Sequence, residues 1–284
     1  MGEKGGAGMI IKYVNSNGAS IILNQGHYLI SGHDLRDFAW NRTVTNRPSG
    51  FGGRVTFSRP VQEKRISIGI RGRELFAQNA AALMALTEPD ILNNTPGRLY
   101  LGEQYLICFL AVASKVNRYA DKSNWVSKDL TVLVTEPFWR TEKNYHFLIG
   151  AAEGVDNAKR YNLRYDYRYI ASAASGTIDN SHYAPSQMII TVYGPVENPS
   201  ITVGGRIYSV AASASATQRI VIDQLQRRIE SVTAAGERTN LFDYRDKEND
   251  IFLPVEPGVN TVIYDGSFNF DITLVQQRSE PLWI

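Results

Sequence analysis

The sequence predicts a mainly β protein of two consecutive domains, with one helix in the first. Three observations carry this. Most periodic segments alternate apolar and polar residues with period two, the mark of a strand with one buried face. Glycines stand between several of them, where a tight hairpin turn requires positive φ. One Ala- and Leu-rich stretch, residues 73–86, is spaced as a helix instead.

In chain order, residues 1–9 are Gly-rich and lack an apolar run, so they are expected to form a flexible tail and no secretion signal; Ile10 opens the folded part. Residues 54–58 (Arg-Val-Thr-Phe-Ser) alternate and predict a half-buried strand. Residues 65–71 place Ile66, Ile68 and Ile70 on one face. In the helical stretch Phe76, Ala80 and Leu83 share a face, and Thr87 and Pro89 are expected to end it, because proline supplies no N–H. Residues 98–101 and 104–112 flank Gly102-Glu103, a II′ turn sequence, and the second arm is apolar enough to predict a strand covered on both faces. Residues 129–135 form a strand that runs into Glu136-Pro137-Phe138-Trp139. The polar residues 140–144 read as the linker, which divides the chain into domains 10–139 and 145–284, the extreme C-terminus being placed to pack back on the first.

The second domain reads as β throughout. Tyr161, Leu163, Tyr165, Tyr167 and Tyr169 occupy alternate positions of one strand. Further strands are predicted at 187–193, at 200–203 and 206–210 around Gly204-Gly205, and at 219–223, 251–253, 260–264 and 268–274. Short strands at this spacing, punctuated by Gly and Pro, indicate a sandwich. The Ala/Ser stretch 211–216 reads as a loop.

Composition removes several classes of function. Lys plus Arg number 30 against 28 for Asp plus Glu, a balance that does not support a dedicated nucleic-acid binder, whose affinity depends on clustered cations, and that leaves a local charged patch open. One cysteine, Cys108, allows no intramolecular disulfide and no Cys-based zinc site. No apolar run approaches the ~20 residues that cross a bilayer. No catalytic residue, cofactor or metal is expected. Gly50-Phe51-Gly52-Gly53 lacks the Lys-Ser/Thr of a phosphate loop and reads as a loop tip. No Gly-x-Ser-x-Gly elbow is present, and His27, His33, His146 and His182 are scattered. Asp243, Asp246, Glu248 and Asp250 would suit glycoside hydrolysis or calcium, but Arg245 and Lys247 among them favour a solvated connection. The tyrosine stripe Tyr161, Tyr165, Tyr167 and Tyr169 is either a packed face or a docking or sugar-facing platform. Trp40, Trp125, Trp139 and Trp283 read as core anchors or subunit contacts.

Several segments together resemble the distal tail protein family of phages that infect Gram-positive bacteria, also found in prophages and tail-like particles. They are Asp34-Leu35-Arg36-Asp37-Phe38-Ala39-Trp40, Leu99-Tyr100-Leu101-Gly102, and residues 130–134 followed by Glu136-Pro137-Phe138-Trp139. In the second half they are Asn198-Pro199-Ser200-Ile201-Thr202-Val203, Phe252-Leu253-Pro254, Pro257-Gly258-Val259-Asn260 and Arg278-Ser279-Glu280-Pro281-Leu282-Trp283. The resemblance implies a β-barrel-like first domain with a helix, assembled as a six-membered ring, and a galectin-like β-sandwich on its outside. It implies a baseplate hub in the virion, made in the host bacterial cytoplasm. Such a hub joins the tail tube to the tail-tip and receptor-binding proteins, neighbours the tape-measure protein and leaves a channel for DNA. The His-x-Asn-x-Arg strand of galectins is missing, so the sandwich is expected to dock proteins; a carbohydrate-binding module for host adhesion is the alternative. Residues 41–53 have the polar, Gly-containing makeup of an inter-subunit arm, and the ring-interface candidates are Arg47, Phe51, Trp40 and Trp139.

Overall fold

The computed structural model describes residues 9–48, 50–71, 76–118, 125–149 and 174–282. The chain forms two compact units, 1–141 with 277–284, and 142–276. It therefore passes from one to the other twice.

The first unit contains β1 (Ile11–Val14), β2 (Ser20–Ile22), β3 (Tyr28–His33), β4 (Asn41–Asn46), β5 (Gly53–Ser58), β6 (Gln62–Arg71), α1 (Phe76–Leu92), β7 (Gly97–Leu101), β8 (Gln104–Arg118) and most of β9 (Trp125–Phe147). Its main sheet is antiparallel in the order β2-β1-β7-β8-β9-β6-β3. The alternation at 65–71 sets the register: Ile66, Ile68 and Ile70 are fully buried and pack with Leu110, Leu130, Val132 and Val134. Gly102 adopts φ 63°, as the turn between β7 and β8 requires. In β8, Cys108 and Leu110 are buried while Ile107 and Phe109 are half-buried, so only one face of this strand is fully covered.

The helix α1 lies against β8, β6 and β2. It does not stop before Pro89, as the sequence predicts; it continues to Leu92 with Pro89 inside it. The turn beyond the proline is held from outside the helix. The buried Asp90 accepts the Tyr13 hydroxyl at 2.6 Å, the Ser16 N–H at 2.8 Å and the Ser16 hydroxyl at 2.6 Å. Charge-assisted bonds of this kind outweigh the one helical bond that proline deletes. Asn15 adds a bond from its side-chain amide to the Leu86 carbonyl. Gly97 is packed against the same cluster: a Cβ there would stand 2.6 Å from the Val14 carbonyl oxygen and 2.8 Å from Asp90 Oδ2.

The boundary between the units falls inside a strand. β9 runs from Trp125 to Phe147 without interruption, so residues 140–144 are extended strand and not the irregular linker that their polarity suggests. Hydrogen bonding replaces apolar packing here: Asn144 accepts the Thr273 hydroxyl at 2.8 Å.

The second unit contains β10 (Ala174–Asn180), β11 (Gln187–Tyr193), β12 (Val196–Glu197), β13 (Ser200–Val203), β14 (Arg206–Ser209), β15 (Ser213–Ala214), β16 (Arg219–Asp223), β17 (Arg228–Val232), β18 (Arg238–Asn240), β19 (Gly258–Tyr264) and β20 (Asn269–Arg278, which ends in the first unit). One antiparallel sheet runs β18-β17-β16-β11-β20, a second β10-β19-β13-β14, and β12 pairs with β15. Alternate residues of both meet in one core: Met188, Ile190, Ile220, Ile222, Ile272 and Leu274 from the first, Ile178, Ile201, Val203, Val262 and Tyr264 from the second. This is the expected sandwich. Gly204 and Gly205 both take positive φ between β13 and β14. Residues 251–253 are a turn (Ile251 and Phe252) and its irregular exit, and not a strand. Ile251 and Phe252 are buried, and Gln224 donates to the carbonyls of Ile251 (3.2 Å) and Leu253 (3.0 Å) in place of a sheet neighbour. The fold class is that expected: mainly β, with antiparallel sheets and a helix in the first unit. The stripe Tyr161, Tyr165, Tyr167 and Tyr169 and the C-terminal Trp283 lie outside the described residues, and so do residues 1–8 of the tail.

Two outcomes follow for the first unit. Replacing Asp90 by Ala, or adding a methyl group with Gly97→Ala, lowers its stability by about 2–4 kcal/mol, because either change breaks the buried bonds to Tyr13 and Ser16; denaturant unfolding at fixed protein concentration measures this. The second concerns alkali. Burial pushes the Tyr13 hydroxyl, which also donates to Asp90, and the Cys108 thiol above their usual values of 10.0 and 9.0. The unfolded chain releases both protons earlier than the folded chain does. Their contribution is complete below about pH 9 and is lost as pH rises beyond it. The thermal midpoint should fall through this window, less steeply in Tyr13→Phe above about pH 10.

Candidate functional site

The strands β4 and β5 pair with each other and with no other described strand. Their register sets Val44 opposite Val55 and Arg42 opposite Phe57. Strand alternation puts these four residues on one face and Thr43, Thr45, Arg54 and Thr56 on the other. All twelve strand residues are exposed, including Val44 (57%) and Phe57 (61%). The alternation at 54–58 thus predicts a strand correctly, but its apolar face is not buried within the chain. The missing element is a second layer: a two-stranded sheet has none of its own.

The tip is closed by backbone bonds, Arg47 N–H to Gly52 O at 3.1 Å and Gly50 N–H to Arg47 O at 3.0 Å. Gly50 and Gly52 take φ of 76° and 75°, which a side chain would strain. Between them Phe51 projects, 86% exposed. Arg42, Arg47 and Arg54 are the only charged residues from 41 to 58.

An aromatic cluster anchors the base. The Arg59 guanidinium lies 5.8 Å from the ring centre of Phe38, 5.2 Å from Trp40 and 5.0 Å from Phe138. Trp40 meets Phe138 edge-on at 6.4 Å. Burial lowers the Arg59 pKa. Behind the cluster Lys64 is buried and donates to the carbonyls of Asp34 (3.3 Å) and Asp37. Burial also holds the Lys64 ammonium below its usual range, against the opposing pull of Asp34 and Asp37. A groove of about 300 Å³ runs beside Lys64, lined by Asp34, Asp37, Phe38, Asn41, Gln62 and Glu63. Its polar groups fix the loop that leads into the hairpin: Asp34 accepts the Arg65 N–H at 2.6 Å.

The interface candidates separate in space. Arg47 and Phe51 are at the tip and Trp40 is at the base, exposed on the same extension. Trp139 is not available: it is 2% exposed and belongs to the core of the first unit, because irregular register between β8 and β9 after Val134 breaks the strict alternation that would set it on the face opposite Val132 and Val134. Sequence reading overlooked Arg59, which no local pattern marks, and the role of Phe57, whose alternation looks the same as that of a core residue.

Other polar clusters among the described residues are bonded within themselves. In the second unit Asp246 is held below its usual pKa by bonds from the Asn249 side chain and the Glu248 N–H. Among the described residues no group of three His, Cys, Asp or Glu is placed to hold a metal. His146 shares Asp271 with the Tyr193 hydroxyl, both contacts being 2.7 Å, and the His182 ring faces the backbone of Ala184.

No family model matches the sequence, and no curated protein does either. Solved structures do match. The Dit protein of phage SPP1, described as a paradigm of the hub adsorption apparatus in phages infecting Gram-positive bacteria, is similar at a TM-score of 0.58 and 13% identity, over 94% of this chain and 99% of that one. A chain of the phage P2 baseplate in its activated conformation with calcium gives 0.61 and 14%, over 96% and 99%. The strontium form gives 0.62 and 15%, over 97% and 100%. At such identity the likeness is one of fold, and it extends over nearly the whole of both chains.

Arg59→Ala should loosen the hairpin without unfolding the unit. Cation–π contacts in a partly desolvated site are worth about 1–2 kcal/mol in total. Limited proteolysis should cut the variant faster between residues 41 and 58, while its circular dichroism stays as in the parent.

Proposed function

We propose that this chain is a structural hub protein of a phage tail or tail-like particle. Copies of it join into a ring, with six members as the resemblance implies, at the far end of the tail tube. The ring holds the tail-tip protein and receptor-binding proteins and leaves a channel for DNA. The observation that carries this reading is the near-complete likeness in fold to the SPP1 hub protein and to a P2 baseplate chain, which spans both units rather than one. The role is to hold other proteins in place, with no bond made or broken. Its place is the virion, with the tail tube and tape-measure proteins as neighbours.

Physical features of the chain support it. A closed ring needs a heterologous interface, in which one patch on each copy meets a different patch on the next. An exposed hairpin with an uncovered apolar face supplies one such patch, since surfaces of this kind mark association sites. Near-neutral charge suits a channel that lets DNA through without gripping it.

Size-exclusion chromatography with light scattering tests the reading. Six copies of 31.7 kDa give about 190 kDa. Deleting residues 45–52 should return the protein to a single-chain mass with both units folded. A parent chain that stays monomeric at high concentration, and fails to bind isolated tail tube or tail-tip proteins, would falsify the proposal.

A further inference from the structure

A heterologous ring raises the question of where the hairpin docks, and the first unit carries a second uncovered apolar surface. On α1, Leu83, Thr87 and Asp90 face inward and are buried, while the last turn exposes Ile91 (46%) and Leu92 (82%). With Met84, Thr87, Glu88 and Ala111 they line a groove of about 440 Å³. Away from the hairpin and Trp40 and Phe38 at its base, the other exposed large apolar residues described in this unit are Ile10, Val61, Leu133 and Leu282, none of which lines this groove.

Charge selects the occupant. The helix carries Glu88 and Asp90 and no cation. Asp90 is buried in its bonds to Tyr13 and Ser16, which leaves Glu88 exposed at the groove, beside the negative end of the helix dipole. The hairpin has the opposite composition: three arginines and no carboxylate from residue 41 to 58. Its apolar face presents Val44, Val55 and Phe57, with Arg42 beside them. Among the described residues no carboxylate pairs with Arg42, Arg47 or Arg54.

We propose that the β4–β5 hairpin of one copy lies in the α1 groove of a second copy, with Val44, Val55 and Phe57 against Met84, Ile91 and Leu92, and Arg42 facing Glu88. This deepens the ring reading and rests on it. Each copy then gives an arm and receives one, as a heterologous contact requires. The apolar residues carry the affinity, and the charges set the orientation and suppress wrong pairings.

The test uses the full chain. Leu92→Asp and Glu88→Arg, both at exposed positions, should keep the parent's thermal midpoint but raise the concentration for half-assembly by about tenfold or more, as loss of one well-packed contact does. Arg42→Glu should do the same, and Arg42→Glu combined with Glu88→Arg should recover assembly. Mixing Phe57→Cys chains with Leu92→Cys chains should give an intermolecular disulfide, since the native Cys108 is buried and does not compete. If Leu92→Asp and Glu88→Arg assemble like the parent and no cross-link forms, while deletion of 45–52 still dissolves the ring, this groove is not the seat and the hub reading stands. If the parent itself does not assemble, both fall.

Discussion

A two-stranded hairpin cannot bury an apolar face against itself. Val44, Val55 and Phe57 share a side that the described chain leaves in water, and that constraint organises the functional reading. Isolated hairpins of this size are marginal in solution. Here the strands are pinned at the base, where Arg59 lies among Phe38, Trp40 and Phe138. The anchoring holds the strands in register, which would lower the ordering cost of any docking by this hairpin. The core beneath is conventional by comparison: Ile66, Ile68 and Ile70 turned one way, Leu130, Val132 and Val134 packed with them.

Much of this architecture was legible in the residues, and the failures share a cause. Period-two alternation located β6, β11, β13 and β16 correctly, since a strand with one dry face has that pattern whatever covers it. The same alternation in β5 gave the right element and the wrong environment. Sequence periodicity records that a face is apolar, not whether the chain itself supplies the cover. Pro89 reads as a stop because the signal is local, whereas the bonds that carry α1 past it come from Tyr13 and Ser16, more than seventy residues away in sequence. Residues 140–144 read as a linker on polarity alone, yet polar side chains suit a strand whose neighbours offer hydrogen bonds. Trp139 belongs to the core because the register of β9 shifts between Val134 and Arg140, which no local alternation in the sequence records. Arg59 had no signature at all; its three aromatic partners come from separate segments.

The two units divide the physical work differently. The first combines a buried polar cluster around Asp90 with an exposed, cationic hairpin. The second is a sandwich whose inner faces are filled, with Phe147 stacked on Phe270 at 4.6 Å where β9 enters it. Its polar clusters, including the loop around Asp246, are satisfied by their own neighbours.

The route of the backbone has an evolutionary corollary. The second unit is entered along β9 and left along β20, and near those ends Asn144 and Thr273 touch at 2.8 Å. A module whose start and finish are side by side can be exchanged as a cassette, or allowed to diverge rapidly, while the host scaffold keeps its own register. Recombination between lineages then has a natural pair of breakpoints, and one scaffold can carry different inserted modules.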